Sequence, residues 1–415
     1  MNTPAVVTIP MSMHIGAHAT PIVKAGDSVK VGQMIGEASG FVSSPVYSSV
    51  SGIVKKIDEI VFINGVHVKS VVIESDGEQS VLESITPPSV NSREEFIEAV
   101  KASGMVGLGG AGFPTVVKLS ADVSKIDAVV VNGAECEPYI TSDTRTMIDD
   151  AALVADGIAM LVKYLGVKQV VVGIEKNKPL CIKKMNEALV GIDEAEIKAL
   201  PSVYPQGGEK VLVYHTLGRV IGEGELPLDQ GVIVINCTTL AAIARYIKTG
   251  MPLVEKCVTV DGSAVKEPKN IIAPIGASAK DVFDFCGGFK QEAKKILFGG
   301  PMMGNAAVDI NAPVMKQTNA VLAFGEKEAV IPSSTPCIKC GRCASNCPFG
   351  LSPTEISDAC KAGDAEKLEK LKVNLCMECG CCSYVCPAKR DVVQRNKMAK
   401  AMLRDYQMAK KGDKK

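Results

Sequence analysis

Tryptophan is absent from this 415-residue sequence, and aromatic residues make up only 4% of it. Its cores must be built from aliphatic side chains, and glycine (38 residues) and valine are plentiful, as tight turns and buried strands require. Net charge is absent too, with Lys plus Arg equal to Asp plus Glu at 46 each. That balance removes any argument for nucleic acid or an acidic membrane surface as a partner. No apolar run approaches the roughly 20 residues a spanning helix needs, so no membrane span of its own is expected. The N-terminus lacks the basic-then-apolar layout of a secretory signal, which points to the cytoplasm, with any membrane attachment supplied by another subunit. Histidine numbers only four. His14 and His18 would share a helix face and could bind a metal, but Gly16 between them argues against a helix. His67 and His215 stand alone.

Cysteine, by contrast, is abundant at 15 residues, and eight of them fall into two matching runs. CIKCGRCASNCP places Cys337, Cys340, Cys343 and Cys347 before Pro348, and CMECGCCSYVCP places Cys376, Cys379, Cys382 and Cys386 before Pro387. Twice over, this is the spacing of bacterial ferredoxins. Three thiolates two residues apart can wrap one face of an iron cube, while the fourth, turned away by the proline, reaches the other cluster. Cys337, Cys340, Cys343 and Cys386 are therefore assigned to one [4Fe-4S] centre, and Cys376, Cys379, Cys382 and Cys347 to a second. Zinc also takes four thiolates, but usually as two separated Cys-x-x-Cys pairs. Disulfides suit neither the crowding nor a reducing compartment. Cys381 reads as a spare thiol beside the cluster. Cys181, Cys237, Cys257, Cys286 and Cys360 read as buried apolar residues.

The length allows several domains. Residues 5–75 alternate apolar and polar positions around glycine turns in two similar segments, Pro21–Ala38 and Pro45–Ile57. They resemble the barrel-sandwich fold of biotinyl and lipoyl carriers, but Gly40–Val46 offers no lysine to modify, so a structural module is expected. A linker over Ile85–Val90 precedes a capping box, Ser92 with Glu95, that opens a helix burying Phe96, Ile97 and Val100. The run GLGGAGFPTVVKL, Gly107–Leu119, follows, with four glycines in six residues that let backbone N–H groups approach a phosphate. Next come a short buried strand, Asp127–Val131, and NGAECEP, Asn132–Pro138. Ligands of open α/β sheets bind at such carboxyl ends. Strands at 169–172, 197–200 and 232–235 then alternate with helical stretches at 144–165, 178–189 and 238–248, which predicts α/β structure with a mainly parallel sheet. Gly207 and Gly208 in YPQGGEK open a further helix. Cys257–Val260 with Asp261-Gly262 signals a strand and hairpin, and Ser278–Phe285 a short helix. No histidine lies near Cys136, so a catalytic thiol is not indicated.

In their order, GLGGAGFPT, NGAECEP and YPQGGEK are similar to motifs of the flavin- and NADH-binding subunit of respiratory complex I. The chain more closely resembles the RnfC family, part of the Rnf complex, the membrane-bound ferredoxin:NAD oxidoreductase. It shares with that family HIGA (His14–Ala17), FGGPMMG (Phe298–Gly304) and the paired cysteine runs. The resemblance covers essentially the whole length. It implies a multidomain α/β and α+β fold: a barrel-sandwich module at 1–80, an α/β FMN- and NADH-binding domain at 90–248, a β-grasp module at 250–310, and a helical ferredoxin-like domain with two [4Fe-4S] clusters at 325–415. It further implies that Gly107, Gly109, Gly110 and Gly112 line the FMN, that Lys118, Asn132 and Glu135 contact the flavin, and that Glu137 meets the nicotinamide ribose or carboxamide. Phe113 would stack on the dinucleotide, Gly207, Gly208 and Glu209 would form the third motif, and Asn236 would lie near the flavin phosphate. Leu108 stands where the complex I subunit has arginine, and Ala134 where it has aspartate, so those two contacts do not carry over.

The implied activity is NADH:acceptor oxidoreduction, with FMN splitting a two-electron hydride into single electrons for the clusters. Membrane and iron-sulfur Rnf subunits would be the partners, ferredoxin an indirect one, and Na+ or H+ translocation would occur in other subunits. The chain would then work as a peripheral subunit on the cytoplasmic side of the membrane. Soluble relatives, the electron carrier of proline reductase and a corrinoid reductase, offer alternatives, as does a cluster relay with no working dinucleotide site. The corrinoid reductase places the barrel-sandwich module at its other end.

Overall fold

The computed structural model describes residues 1–61 and 65–412, which divide into two compact units. One comprises Met1–Gly218 and Gln230–Ala329; the other comprises Arg219–Asp229 and the chain from Val330 on.

The first unit opens on two small antiparallel sheets. Strands β1 (Val6–Pro10), β3 (Ser28–Val29), β6 (Gly52–Val61) and β7 (His67–Ser75) form one, in the order β1-β7-β6-β3. Strands β2 (Thr20–Pro21), β4 (Met34–Glu37) and β5 (Val46–Tyr47) form the other. Strand β7 alternates only at its start, where Val68 is buried between the outward-facing His67 and Lys69, and then buries Ser70, Val71, Val72 and Ile73 in succession, as a strand covered on both faces does. This is the expected barrel-sandwich module. Helix α1 (Arg93–Ala102) follows, with Ser92 accepting from the Glu95 N–H at 3.2 Å. The second half of the expected capping box is displaced by one residue, since the Glu95 carboxylate takes the Asn91 N–H instead of that of Ser92.

The α/β domain contains α2 (Thr115–Leu119), β8 (Ala128–Gly133), α3 (Ser142–Asp149), α4 (Ala151–Leu165), β9 (Gln169–Glu175), α5 (Pro179–Ala188), β10 (Ala195–Leu200), α6 (Glu209–Leu217), β11 (Val232–Asn236) and α7 (Cys237–Thr249). Its sheet runs β10-β9-β8-β11 with every pairing parallel. Strands β8, β9 and β11 are apolar along nearly their whole length because helices cover both faces. The single helix expected over 144–165 is two helices, broken at Asp150. Aspartate favours helix ends over helix interiors, and Arg245 holds the Asp150 carboxylate at 3.0 Å.

A third sheet, β13-β12-β16-β14-β15, joins β12 (Glu255–Asp261), β13 (Lys269–Pro274), β14 (Lys295–Phe298), β15 (Asn305–Ala306) and β16 (Ala320–Phe324), with α8 (Ala279–Phe285) capped by Ser278 and Asp281. Its central strand β16 lies beyond residue 310 and pairs parallel to β12. The sheet therefore extends past the segment read from sequence. Helix α9 (Glu326–Ala329) ends this unit.

The second unit is helical: α10 (Arg342–Ser345), α11 (Pro353–Ala362), α12 (Ala365–Lys370), α13 (Cys381–Tyr384) and α14 (Val392–Gly412). Leu351, Ile356, Leu368, Val373, Ala399 and Leu403 make its core. The end of the basic tail, residues 413–415, lies outside the described residues.

Candidate functional site

The glycine run becomes a closed loop at the carboxyl edge of the parallel sheet. Gly107 N–H donates to Phe113 O at 2.8 Å and Gly112 N–H to Gly107 O at 3.1 Å, so Gly109, Gly110 and Ala111 project as an exposed crown. Leu108 is 1% exposed and anchors the loop inward. Its N–H donates to Thr239 Oγ1 at 3.0 Å, and its carbonyl accepts from Lys256 Nζ at 2.5 Å. This lays the loop across the N-terminus of α7, which Asn236 caps by accepting from the Thr239 N–H at 3.2 Å. A Cβ on Gly109 would stand 3.0 Å from the Asn236 amide, so a side chain there would force the Asn236 cap to shift. From the barrel-sandwich module, the Ile15 N–H donates to Gly112 O at 3.0 Å.

Exposed backbone at a helix N-terminus is a ready anion site, and the donors present fit a flavin phosphate. Gly110, at φ 127°, has open space around it where a side chain would stand. Among the described residues the buried Thr115 Oγ1, just after the loop, has no hydrogen-bond partner. Lys118 donates to Glu209 at 2.6 Å and to Val234 O at 3.0 Å, bringing the first and third motifs together. Asn132 donates to Gly207 O at 3.0 Å and accepts from the Ala134 N–H, fixing the second motif against the third. Gly208 is the N-cap of α6 and Glu209 its first residue.

The three acidic groups near this edge differ sharply in their surroundings. Glu135, with a side chain 5% exposed, accepts from the N–H groups of Asp143 and Thr144, the Thr144 hydroxyl, and Lys178 at 3.1 Å. Its carboxylate is spent on the first turn of α3. Glu137 instead accepts the N–H groups of Met302 (3.0 Å) and Met303 (2.7 Å), so GGPMMG reaches the second motif from the β-grasp module. Gly300 is needed for that approach, since a Cβ there would lie 2.2 Å from the Glu137 carboxylate. Burial raises Glu137 above the usual carboxylate range. Burial likewise raises Asp143 to about 6, with Glu135 adding to the shift, although Thr238, Lys256 and Asn236 oppose it. A cleft of about 470 Å³ runs beside these groups, lined among others by Glu135, Glu137, Glu175, Lys178 and Tyr204.

The second unit repeats one local structure. Lys339 and Glu378, the third residues of the two cysteine runs, both have positive φ (56° and 63°), as do Gly341 and Gly380 (74° and 82°). In both runs the third residue's N–H donates to the first sulfur, Cys337 at 3.4 Å and correspondingly Cys376. Beyond each proline the pattern holds, with Gly350 N–H donating to Cys347 O and Lys389 N–H to Cys386 O, each at 3.1 Å. Among the described residues no three His, Cys, Asp or Glu side chains gather tightly enough to hold a single metal ion. Cys382 is pushed up to about 12, chiefly by burial and then by Cys376, Cys379 and Cys347. Crowded buried thiols of this kind become thiolates only when a cationic centre takes their charge. The donor set thus fits iron-sulfur ligation.

Phe113 closes the glycine loop through its backbone, and it is Leu108 beside it that goes inward. The sequence reading did not single out Asp143, Lys178, Lys256 or Lys316. A single charged residue outside any motif carries no mark of burial. Lys256 alone had a signal: it shares strand parity with the buried Val258 and Val260.

Known families match in the same order as these modules. A domain described as the RnfC barrel sandwich hybrid domain matches residues 1–78, the Nuo51 FMN-binding domain 100–245, the SLBB domain 257–306 and a 4Fe-4S dicluster domain 333–409. Together with the geometry they define the class: an FMN-binding, two-cluster iron-sulfur subunit of the complex I type. The RnfC protein of the proton-translocating ferredoxin:NAD(+) oxidoreductase complex of Clostridium ljungdahlii is 41% identical over 85% of this chain and 78% of its own. Its counterpart in the Na(+)-translocating complex of Acetobacterium woodii is 43% identical over 88% and 84%, and that of the ion-translocating oxidoreductase of Rhodobacter capsulatus 39% identical over 99% and 80%. The chain belongs to this family, the RnfC subunits. An NAD+-reducing [NiFe]-hydrogenase chain shares the fold, with TM-score 0.53 at 18% identity over 75% of this chain and 63% of that one.

Proposed function

We propose that this chain is the NAD(H)-handling electron-transfer subunit of an Rnf complex and exchanges electrons between NAD(H) and a partner subunit. It would work peripherally, on the cytoplasmic side of the membrane, with Na+ or H+ moved by partner subunits. No helix among the described residues is long and apolar enough to cross a membrane. The observation that carries the reading is the glycine loop held across the N-terminus of α7 by the Leu108 N–H on Thr239.

In this reading Gly107, Gly109, Gly110 and Gly112 present backbone N–H groups to the FMN phosphate, with Asn236 and Thr239 fixing the surface on which it rests. Lys118 and Asn132 orient the flavin, and the Glu209 carboxylate keeps the Lys118 ammonium in place. Glu135 sets the geometry of the second motif from below. Glu137 receives the nicotinamide ribose or carboxamide at the rim of the cleft, and Phe113 offers a stacking face. Bound FMN supplies the exchange between a hydride pair and single electrons, and two [4Fe-4S] centres supply one-electron carriage. Cys337, Cys340, Cys343 and Cys386 hold one centre, and Cys376, Cys379, Cys382 and Cys347 the other. No side chain need act as acid or base, since positioning and exclusion of oxygen suffice.

The test is anaerobic. With clusters reconstituted and FMN added, NADH should bleach both the flavin and the cluster absorbance. A protein that binds iron and sulfide but takes up no flavin, or whose flavin stays oxidised, would be a cluster relay without a dinucleotide site.

A further inference from the structure

A cation lies behind the glycine loop, in a module that the flavin motifs do not include. Lys256 projects from β12 on the face shared with Val258 and Val260, is 4% exposed, and donates to Leu108 O. With Thr239 on the Leu108 N–H, both peptide groups flanking this residue are held, from two modules, just behind the exposed Gly109 and Gly110. The loop itself brings no charge, for residues 107–113 read GLGGAGF. The Asp143 carboxylate accepts from Asn236 Nδ2 at 2.7 Å and Thr238 Oγ1 at 2.6 Å, and its charge opposes the loss of the Lys256 proton. Asp143 is thus committed to the α7 N-terminus as well as to the lysine. In a poorly solvated site, a cation so partly compensated projects positive potential onto the loop in front of it.

We propose that Lys256 is a positioning residue for the FMN phosphate: it fixes the loop through Leu108 O and supplies from the β-grasp module the positive charge that the loop lacks. Asp143 tempers that charge. The inference rests on reading Gly107–Gly112 as the phosphate loop. Burial draws Lys256 down to about 8, against the pull of Asp143, Cys257, Cys237 and Glu135, so a phosphate arriving at the loop favours its charged form.

Riboflavin, which is FMN without the phosphate, separates this role from general support of the fold. Affinities of the full-length, cluster-reconstituted chain for both flavins are measured by fluorescence quenching. Lys256→Met should weaken FMN about tenfold or more and riboflavin by no more than about twofold. In the wild type, raising the pH from about 7 to about 9.5 removes the Lys256 charge and should lower the preference for FMN. A Lys256→Met protein with unchanged circular dichroism and an unchanged FMN-to-riboflavin ratio would overturn the proposal. If that variant does not fold, the wild-type pH series decides, and a ratio unchanged across it is the overturning result. Equal affinity of the wild type for the two flavins would remove the phosphate-loop reading itself, and this inference with it.

Discussion

Lys316 is the clearest case of a residue whose chemistry comes entirely from its surroundings. It is fully buried and donates to Ser44 Oγ (3.1 Å), Pro45 O (2.6 Å) and Gly104 O (2.8 Å), tying the barrel-sandwich module to the end of α1. Burial lowers it to about 7. A lysine with a depressed folded pKa binds fewer protons in the folded than in the unfolded state between that value and about 10.4, so its contribution to stability rises with pH across this window. Between pH 7 and 8.5 the wild type should gain about 1–2 kcal/mol relative to Lys316→Met, read as a difference in the slope of urea-unfolding free energy against pH. Equal slopes would mean that Lys316 is not desolvated. The variant should be the less stable of the two at pH 8.5, because Pro45 O loses its donor while Gly104 O keeps only the Ser44 hydroxyl.

At the scale of elements, the two cysteine runs behave as copies of one turn, alike in φ at matched positions and in N–H···S bonding. Crossed ligation gives them a distinct mutational signature. Cys347→Ala should remove about half of the iron, and adding Cys376→Ala should remove little more, whereas Cys347→Ala with Cys340→Ala should remove nearly all. Iron content and electron paramagnetic resonance of the reduced protein check this. The reverse pattern would place Cys347 with its own run. These runs were legible because ligand spacing is written in consecutive residues. So were the buried strands β8, β9 and β11, whose apolar stretches have no solvent-facing positions to interrupt them. The break at Asp150 was not, because the apolar period continues through it and outweighs the helix-end preference of one aspartate. Nor was β16, an apolar stretch set in the sheet between β14 and the much earlier β12. At the site, the three glycine motifs were legible, but Lys256 and Asp143 act through contacts between modules.

For the whole first unit, the glycine loop is a meeting point. Its Gly112 carbonyl is held from the barrel-sandwich module, Leu108 from the β-grasp module and α7, and Glu137 nearby from GGPMMG. A chain lacking residues 1–80 should therefore bind FMN about tenfold or more weakly even though all three flavin motifs are intact, as flavin titration of the truncated protein would show. Undiminished affinity would make the N-terminal module a mere appendage. The dependence on late-arriving chain has a further consequence. Lys256 and the Met302–Met303 turn are synthesised well after Leu108 and Glu137, which they contact, so a polypeptide ending before them should lack both supports. Flavin uptake would then report that the first unit had been completed.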